Sequence, residues 1–219
     1  MTIQHHLSDE LLLAYSAGSL GEGWSLAVAT HLSLCPVCRE RESRFASIGG
    51  VTLADAPVEP VASSALSACL AMLDDEPAAP AVTRTAPSGA GAGGGLPEPL
   101  RSFVGSGLDG IRWSLIGPGV RQCMLDVRSG GRARLLRIAP GTALPEHGHN
   151  GLEVTMVVAG SFSDEANAFY RGDVAIADQD IHHRQVTGKE EPCVCLTVTD
   201  APLAFRGLLP KIAQRFARI

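Results

Sequence analysis

The stretch His31-Leu32-Ser33-Leu34-Cys35-Pro36-Val37-Cys38 places one imidazole and two thiols at the spacing of metal ligands. His31 and Cys35 are one helical turn apart, so on a helix their side chains leave the same face. Pro36 suits the first turn of a second helix, which puts Cys38 near a helix N-terminus, where a thiolate is stabilised. Because imidazole and thiolates are preferred ligands of zinc, the stretch predicts two helices joined at a zinc ion that needs a fourth ligand.

Two histidines near the start of the chain are candidates for that ligand. His5 and His6 precede Ser8, which can cap a helix, and either would complete a tetrahedral His2Cys2 site. The alternative is an apolar or redox Cys-x-x-Cys pair, with His31 at a helix C-terminus. A thioredoxin-like motif requires a preceding strand, and none is indicated here, so the metal site is favoured.

Residues 1–76 are predicted to be helical. The pattern indicates helices at about 8–17, 22–34, 36–47 and 64–73, with Gly18, Gly21, Gly49 and Gly50 as breaks. In the fourth helix Leu66, Leu70 and Leu73 recur at helical spacing beside Cys69. This apolar stripe either packs within the domain or binds a partner.

A segment rich in Pro, Ala and Gly divides the chain. Residues 77–99 have almost no bulky apolar side chains and are predicted to be a flexible linker. The remaining parts, 1–76 and 100–219, have the sizes of separate small domains.

The charge differs between these two parts. Residues 1–76 contain three arginines and ten acidic residues, whereas the rest has fifteen basic and thirteen acidic residues. Phosphates would repel the acidic domain, which argues against direct nucleic-acid binding and favours a basic protein partner. Surface acids also serve solubility, so charge alone leaves that alternative open.

The cellular compartment is inferred from two features that the sequence does not show. No apolar run reaches the length of a membrane span, and the N-terminus has no secretory pattern. We therefore expect a cytoplasmic protein with no membrane partner. In that reducing compartment the six cysteines are expected to be ligands, redox sensors or buried residues rather than disulfides.

Past the linker the pattern changes to short strands. Residues 134–138, 153–158, 173–176 and 193–198 are apolar or β-branched runs between turn residues, which predicts an all-β sandwich or barrel. His147 and His149 would lie on one side of a strand, within reach of Glu153 on the next. Two imidazoles and a carboxylate form a second candidate metal site.

This second set resembles the first motif of the cupin family, which is carried here by Gly141, His147, His149, Glu153 and Gly160. The second cupin motif is looser: it begins at Gly172, its metal-binding histidine falls on His183, and His182 is the second choice. The resemblance implies a cupin barrel that holds a divalent metal, with zinc as the first choice. The alternative is a barrel that keeps the ligand spacing but binds no metal.

Nearly the whole chain resembles the ChrR-type anti-sigma factors. The likeness includes His5-His6 with Ser8-Asp9, the segment 29–35, the pair Cys193-Val194-Cys195 and the ending 209–216. It implies that a zinc anti-sigma domain sequesters an extracytoplasmic-function sigma factor and that the cupin responds to singlet oxygen or organic peroxides. It also implies the ligand sets, which are His6, His31, Cys35 and Cys38 for the first zinc, and His147, His149, Glu153 and His183 for the cupin metal.

A regulator of this kind is expected not to be an enzyme. The cupin ligands and Cys193 with Cys195 are candidate sensors, since imidazole and thiol groups react with oxidants, but the two cysteines would also suit a same-face pair in the barrel core. The rival function is a cupin oxygenase or isomerase that the helical domain recruits. Its ligand set would leave room for substrate, but the sequence offers no obvious acid or base beyond the ligands.

Overall fold

The computed structural model describes residues 2–74, 95–105, 107–179 and 182–205. The helices are α1 (Asp9–Ser16), α2 (Glu22–Leu34), α3 (Pro36–Ala54), α4 (Ala65–Asp74) and α5 (Glu98–Val104). The strands are β1 (Ser114–Gly117), β2 (Val120–Met124), β3 (Arg132–Ile138), β4 (His147–His149), β5 (Glu153–Ala159), β6 (Ser161–Ser163), β7 (Ala168–Tyr170), β8 (Val174–Ala177), β9 (His182–His183), β10 (Val186–Thr187), β11 (Cys193–Thr199) and β12 (Leu203–Phe205). The predicted fold class, helices followed by an all-β cupin-like region, is confirmed.

Local signals define the first three helices. Ser8 caps α1 by accepting the backbone N–H of Leu11 at 3.4 Å. Cys35 ends α2 in an extended conformation and is at the same time the N-cap of α3, with Pro36 in the first turn. The helix pair predicted from the cysteine stretch is therefore present.

The predicted end of the third helix near residue 47 is wrong, because α3 continues to Ala54. Gly49 and Gly50 lie inside the helix, and neither has a positive φ. Glycine lowers helix stability without ending a helix unless the backbone turns left-handed, as it does at Gly18, where φ is 66°. Among the residues described, no helix is both long enough and apolar enough to span a membrane.

The β region consists of one large antiparallel sheet and two small ones. The large sheet has the order β1-β2-β3-β11-β5-β8, and the small sheets are β10-β6-β7 and β12-β4-β9. The four predicted strands are β3, β5, β8 and β11, which include the middle of the large sheet. The segments 75–94 and 206–219, which contain most of the predicted linker and the C-terminal part of the resemblance, lie outside the described residues.

The two faces of the large sheet have different neighbours. Residues such as Met156 and Leu196 are fully buried on the face that belongs to the main hydrophobic core. Val157 and Cys195 alternate with them and face a smaller interior cluster inside the barrel.

Helix α2 joins the helical region to the barrel. It contacts β3, β5 and β11 of the large sheet and is flanked by α5. At its N-terminal end the N–H of Gly23 donates to the carbonyl of Ser129 at 3.0 Å, and the Glu22 carboxylate accepts the N–H of Arg128 at 2.6 Å. The helices and the barrel therefore share one continuous hydrophobic core.

Candidate metal centres

The structure brings His6, His31, Cys35 and Cys38 together. One ligand atom from each side chain lies within 4.8 Å of the other three. His6 Nδ1 is 3.3 Å from Cys35 Sγ and 3.6 Å from Cys38 Sγ. Ligands bound tetrahedrally to zinc at about 2.0 to 2.3 Å lie roughly 3.3 to 3.8 Å apart, so these spacings fit a zinc ion.

His31 has the tautomer that a metal ligand needs. Its Nδ1–H donates to the backbone carbonyl of Gly172 at 2.9 Å, which leaves the lone pair on Nε2. Within the described part of the chain, Nε2 is buried and has no hydrogen-bond partner. Burial lowers the pKa of His31 to about 4, so the ring is neutral at physiological pH. An orphaned, neutral, buried nitrogen beside two thiols fits a metal.

The two thiols lie at the start of α3. Both are fully buried, and Cys35 Sγ accepts the backbone N–H of Cys38 at 3.4 Å. Burial raises the pKa of the Cys38 thiol, and the Cys35 thiol beside it adds to the effect. A bound zinc ion would reverse this, because a coordinating thiol loses its proton. Four protein ligands leave no open position, which is typical of a structural zinc site.

His5, the other candidate for the fourth ligand, lies outside the group. Its ring packs against Phe169 of β7 with 4.4 Å between the ring centroids. Its backbone N–H donates to the carboxylate of Asp173 at 2.9 Å. These two contacts hold His5 on the barrel, so His6 is the residue that can close the site.

A second group, in the barrel, consists of His147, His149 and Glu153. All three are buried, and their ligand atoms lie within 4.8 Å of one another. His147 Nδ1–H donates to the carbonyl of Pro145 at 3.0 Å, which leaves the lone pair on Nε2. His149 Nδ1 is 3.7 Å from a carboxylate oxygen of Glu153. Two imidazoles and a carboxylate suit a divalent metal.

The electrostatics around Glu153 also favour a cation. Burial raises the pKa of this carboxyl group, while His147, the Thr155 hydroxyl 3.1 Å away and Arg134 act in the opposite direction. Arg134 is only 2 % exposed, and burial lowers its pKa. A divalent ion at this group would offset the cost of burying a carboxylate.

The fourth predicted ligand of the barrel lies on β9. The strand register pairs His183 with His147, and His182 with Gly148. The side chains of both histidines lie outside what the structure describes. The choice of His183 over His182 therefore stays a prediction.

Cys193 and Cys195 are a same-face pair inside the barrel. Their Sγ atoms are 3.5 Å apart, and both residues are buried beside Phe162. The hydrogen bond with Cys193 and burial raise the pKa of Cys195 well above that of an ordinary thiol. The interior is thus apolar at this end and polar around Glu153.

Two groups near the sites were not anticipated. Arg134 begins the predicted strand 134–138, and its burial is not indicated by the sequence, because buried arginines are rare. Asp173 begins the predicted strand 173–176 and is given no role there, but it is 1 % exposed and holds the backbone just before His6. A polar residue at an inward-facing strand position is the signal that could have identified Arg134.

Comparison with known proteins assigns the chain to a family. Residues 105–202 match the family described as the ChrR cupin-like domain. The chain is 45 % identical over 219 residues to the anti-sigma-E factor ChrR of Cereibacter sphaeroides, with 100 % of both chains covered. It also matches a chain in the crystal structure of Rhodobacter sphaeroides SigE in complex with the anti-sigma ChrR, with a TM-score of 0.77, 43 % identity, and coverage of 91 % of this chain and 100 % of that chain. The protein therefore belongs to the family of the anti-sigma-E factor ChrR.

Proposed function

We propose that this protein is an anti-sigma factor that binds an extracytoplasmic-function sigma factor and keeps it from RNA polymerase. The observation that carries the proposal is the full-length match to the anti-sigma-E factor ChrR. The similar solved structure is that of the anti-sigma ChrR in complex with the sigma factor SigE. A sigma factor acts on cytoplasmic polymerase, so we place the protein in the cytoplasm.

Exposed apolar side chains on two helices support this proposal. Ile48 and Val51 on α3 are 62 and 64 % exposed, and Leu66, Leu70 and Leu73 on α4 are 71, 53 and 70 % exposed. Several large apolar side chains exposed on one element are typical of a protein-binding surface. The excess of acidic residues in the same region suits a partner with a basic surface.

We assign zinc a structural role in this domain. The four candidate ligands come from the N-terminal segment, from α2 and from the start of α3, so one ion would tie three parts of the chain together. A closed four-ligand site contributes its binding energy to folding. Zinc would thereby hold α3 in the arrangement that binds the sigma factor.

We assign the barrel the role of a sensor for singlet oxygen or an organic peroxide. The candidate metal group of His147, His149 and Glu153, which His183 is proposed to complete, provides oxidisable imidazoles around a divalent metal, with zinc as the first choice. Oxidation there would weaken the complex and release the sigma factor. In this role the barrel needs no catalytic residues, so we propose that the protein is not an enzyme.

Binding can be tested with purified proteins. The full chain is mixed with each extracytoplasmic-function sigma factor of the host, and complex formation and inhibition of transcription by the reconstituted polymerase are measured. We expect one sigma factor to bind and to be inhibited. Leu66→Asp should weaken the complex, whereas Leu115→Asp, on β1 of the barrel and also 71 % exposed, should not. Failure of every sigma factor to bind would refute the proposal.

The sensor role needs a separate test. The complex is exposed to singlet oxygen from a photosensitiser or to an organic peroxide, and release of the sigma factor is followed for the native chain and for Glu153→Gln. We expect the variant to bind the sigma factor but to release it poorly. Release that is unchanged would exclude a role for the barrel metal group, and steady oxygen consumption with a small-molecule substrate would instead favour the metalloenzyme.

A further inference from the structure

One turn of the barrel meets the candidate zinc site of the helices. This turn consists of residues 170–174, connects β7 to β8 and is named the 170–174 turn. It lies far along the chain from the zinc group, yet it contacts both the segment before His6 and the ring of His31. Side chains that touch a metal ligand from outside commonly determine its orientation and its affinity for the metal.

Asp173 connects this turn to the N-terminal segment that carries His6. One of its carboxylate oxygens accepts the backbone N–H groups of Gln4 and His5, at 2.7 and 2.9 Å. The other accepts the N–H of Tyr170 at 2.8 Å, which fixes the carboxylate within its own turn. The carbonyl of His5 in turn accepts the N–H of Val174 at 3.3 Å. Both the backbone N–H and the carbonyl of His5, the residue just before His6, are therefore hydrogen-bonded to the turn.

Gly172 provides the second connection. Its carbonyl accepts the Nδ1–H of His31 at 2.9 Å, and this bond selects the tautomer with the lone pair on Nε2. Gly172 has a φ of 94°, and a Cβ atom there would lie 2.6 Å from the side chain of Ile3. The left-handed backbone favours glycine at this position, and any other residue would also displace the side chain of Ile3.

The same turn is continuous with the barrel metal group. Asp173 immediately precedes β8, and β8 pairs with β5 from Met156 to Glu153. Glu153 lies opposite Ala177 at the far end of this short strand. A shift of β8 that accompanies a change at Glu153 would therefore move the turn that holds the zinc ligands.

From these contacts we propose that the 170–174 turn is the outer coordination shell of the zinc site, with Asp173 as its positioning residue, so that the barrel sets the zinc affinity of the anti-sigma domain. The inference rests on the proposed zinc site. It gives the barrel a way to act on the helices without a contact to the sigma factor. Removal of the carboxylate should free the segment that carries His6 and lower the affinity of the His2Cys2 site about 10- to 100-fold, the range found for lost outer-shell partners.

The test uses the full chain loaded with cobalt(II), which substitutes for zinc. Of the two candidate metal groups among the described residues, only the one with Cys35 and Cys38 would give thiolate-to-cobalt charge-transfer absorption, because the barrel group has no thiol ligand. Titration against a competing chelator then yields the affinity of this site alone. Asp173→Ala and the milder Asp173→Asn are compared with Asp164→Ala, whose carboxylate also accepts two backbone N–H groups, at 2.9 and 2.7 Å, but from Ala166 and Asn167 in its own loop.

We expect Asp173→Ala to lower the affinity 10- to 100-fold, Asp173→Asn to lower it less, and Asp164→Ala to leave it unchanged. Native affinity in both Asp173 variants would overturn the inference while leaving the zinc site intact. Equal losses in Asp164→Ala, or loss of the barrel's circular dichroism in both Asp173 variants, would assign Asp173 a general folding role and also overturn it. If the native chain itself gave no thiolate-to-cobalt absorption, the proposed zinc site would be the part that fails.

Discussion

Gly130 of the barrel and Gly21 before α2 approach so closely that neither has room for a side chain. A Cβ atom on Gly130 would lie 2.6 Å from the Cα of Gly21. Beside this contact, the carbonyl of Ser129 accepts the N–H of Gly23 at 3.0 Å. The approach allows the N-terminal end of α2 to rest directly on the barrel, while His31 contacts the barrel from the other end of the same helix.

Gly130→Ala should therefore separate α2 from the barrel. Gly105→Ala is the matched control, because Gly105 has a similar φ, 71° against 78°, but nothing within 4 Å of its Cβ position. The left-handed backbone alone should cost about 1 to 2 kcal/mol in each variant, and the backbone clash should cost Gly130→Ala about 2 kcal/mol more. Urea unfolding followed by circular dichroism measures both. Equal losses would mean that the glycine contact does not hold the two regions together.

Alanine within α3 should have the opposite effect. Gly49 and Gly50 are exposed, helical and free of neighbours within 4 Å of a Cβ atom. Gly49→Ala or Gly50→Ala should raise the free energy of unfolding by about 0.5 to 1 kcal/mol, since alanine loses less backbone entropy in a helix. Gly18→Ala, at a φ of 66°, should lower it. Thermal unfolding of the three variants measures whether stability rises or falls in each. A loss of stability in the Gly49 variant would contradict a continuous helix.

The sequence predicted the parts of the fold that depend on neighbouring residues. The β-branched runs correspond to β3, β5, β8 and β11, and the helix pair around Cys35 is present. Strands of three residues, such as β6 and β7, are too short to show an alternating pattern. The predicted end of α3 is wrong because glycine weakens a helix without ending it, and Gly49 and Gly50 keep a helical backbone.

In the candidate zinc site, too, the ligands that lie close together in sequence could be predicted, whereas the choice that depends on tertiary contacts could not. His31, Cys35 and Cys38 could be found by spacing because they lie on two consecutive helices. The choice between His5 and His6 depends on Phe169 and Asp173, which come from the barrel, so local spacing could not make it. Whether these residues hold zinc stays a prediction, as do the domain boundaries.

The cysteines should differ sharply in reactivity toward a thiol-alkylating reagent. Cys69 is exposed on α4, whereas Cys193 and Cys195 are buried in the barrel. Alkylation requires the thiolate, and the pKa of Cys195 is raised well above the ordinary value, so its thiol should stay protonated at neutral pH. Mass spectrometry after brief alkylation should find Cys69 modified and the barrel pair modified only after unfolding. Rapid labelling of Cys195 in the native protein would show that the barrel opens and would favour the pair as a direct sensor.

Stability of the metal-free protein should fall as the pH is lowered from about 6.5 towards about 4. Burial lowers the pKa of folded His31 to about 4 from an ordinary value of 6.5, so between these values the unfolded chain binds a proton that the folded chain does not. The contribution is fully present above about pH 6.5, and its loss amounts to about 3 kcal/mol when the pH reaches about 4. Unfolding in urea with a chelator, over this pH range, measures the slope. His31→Gln should flatten it and His5→Gln, which retains His31, should keep it, whereas an unchanged slope in His31→Gln would assign the pH dependence to another group.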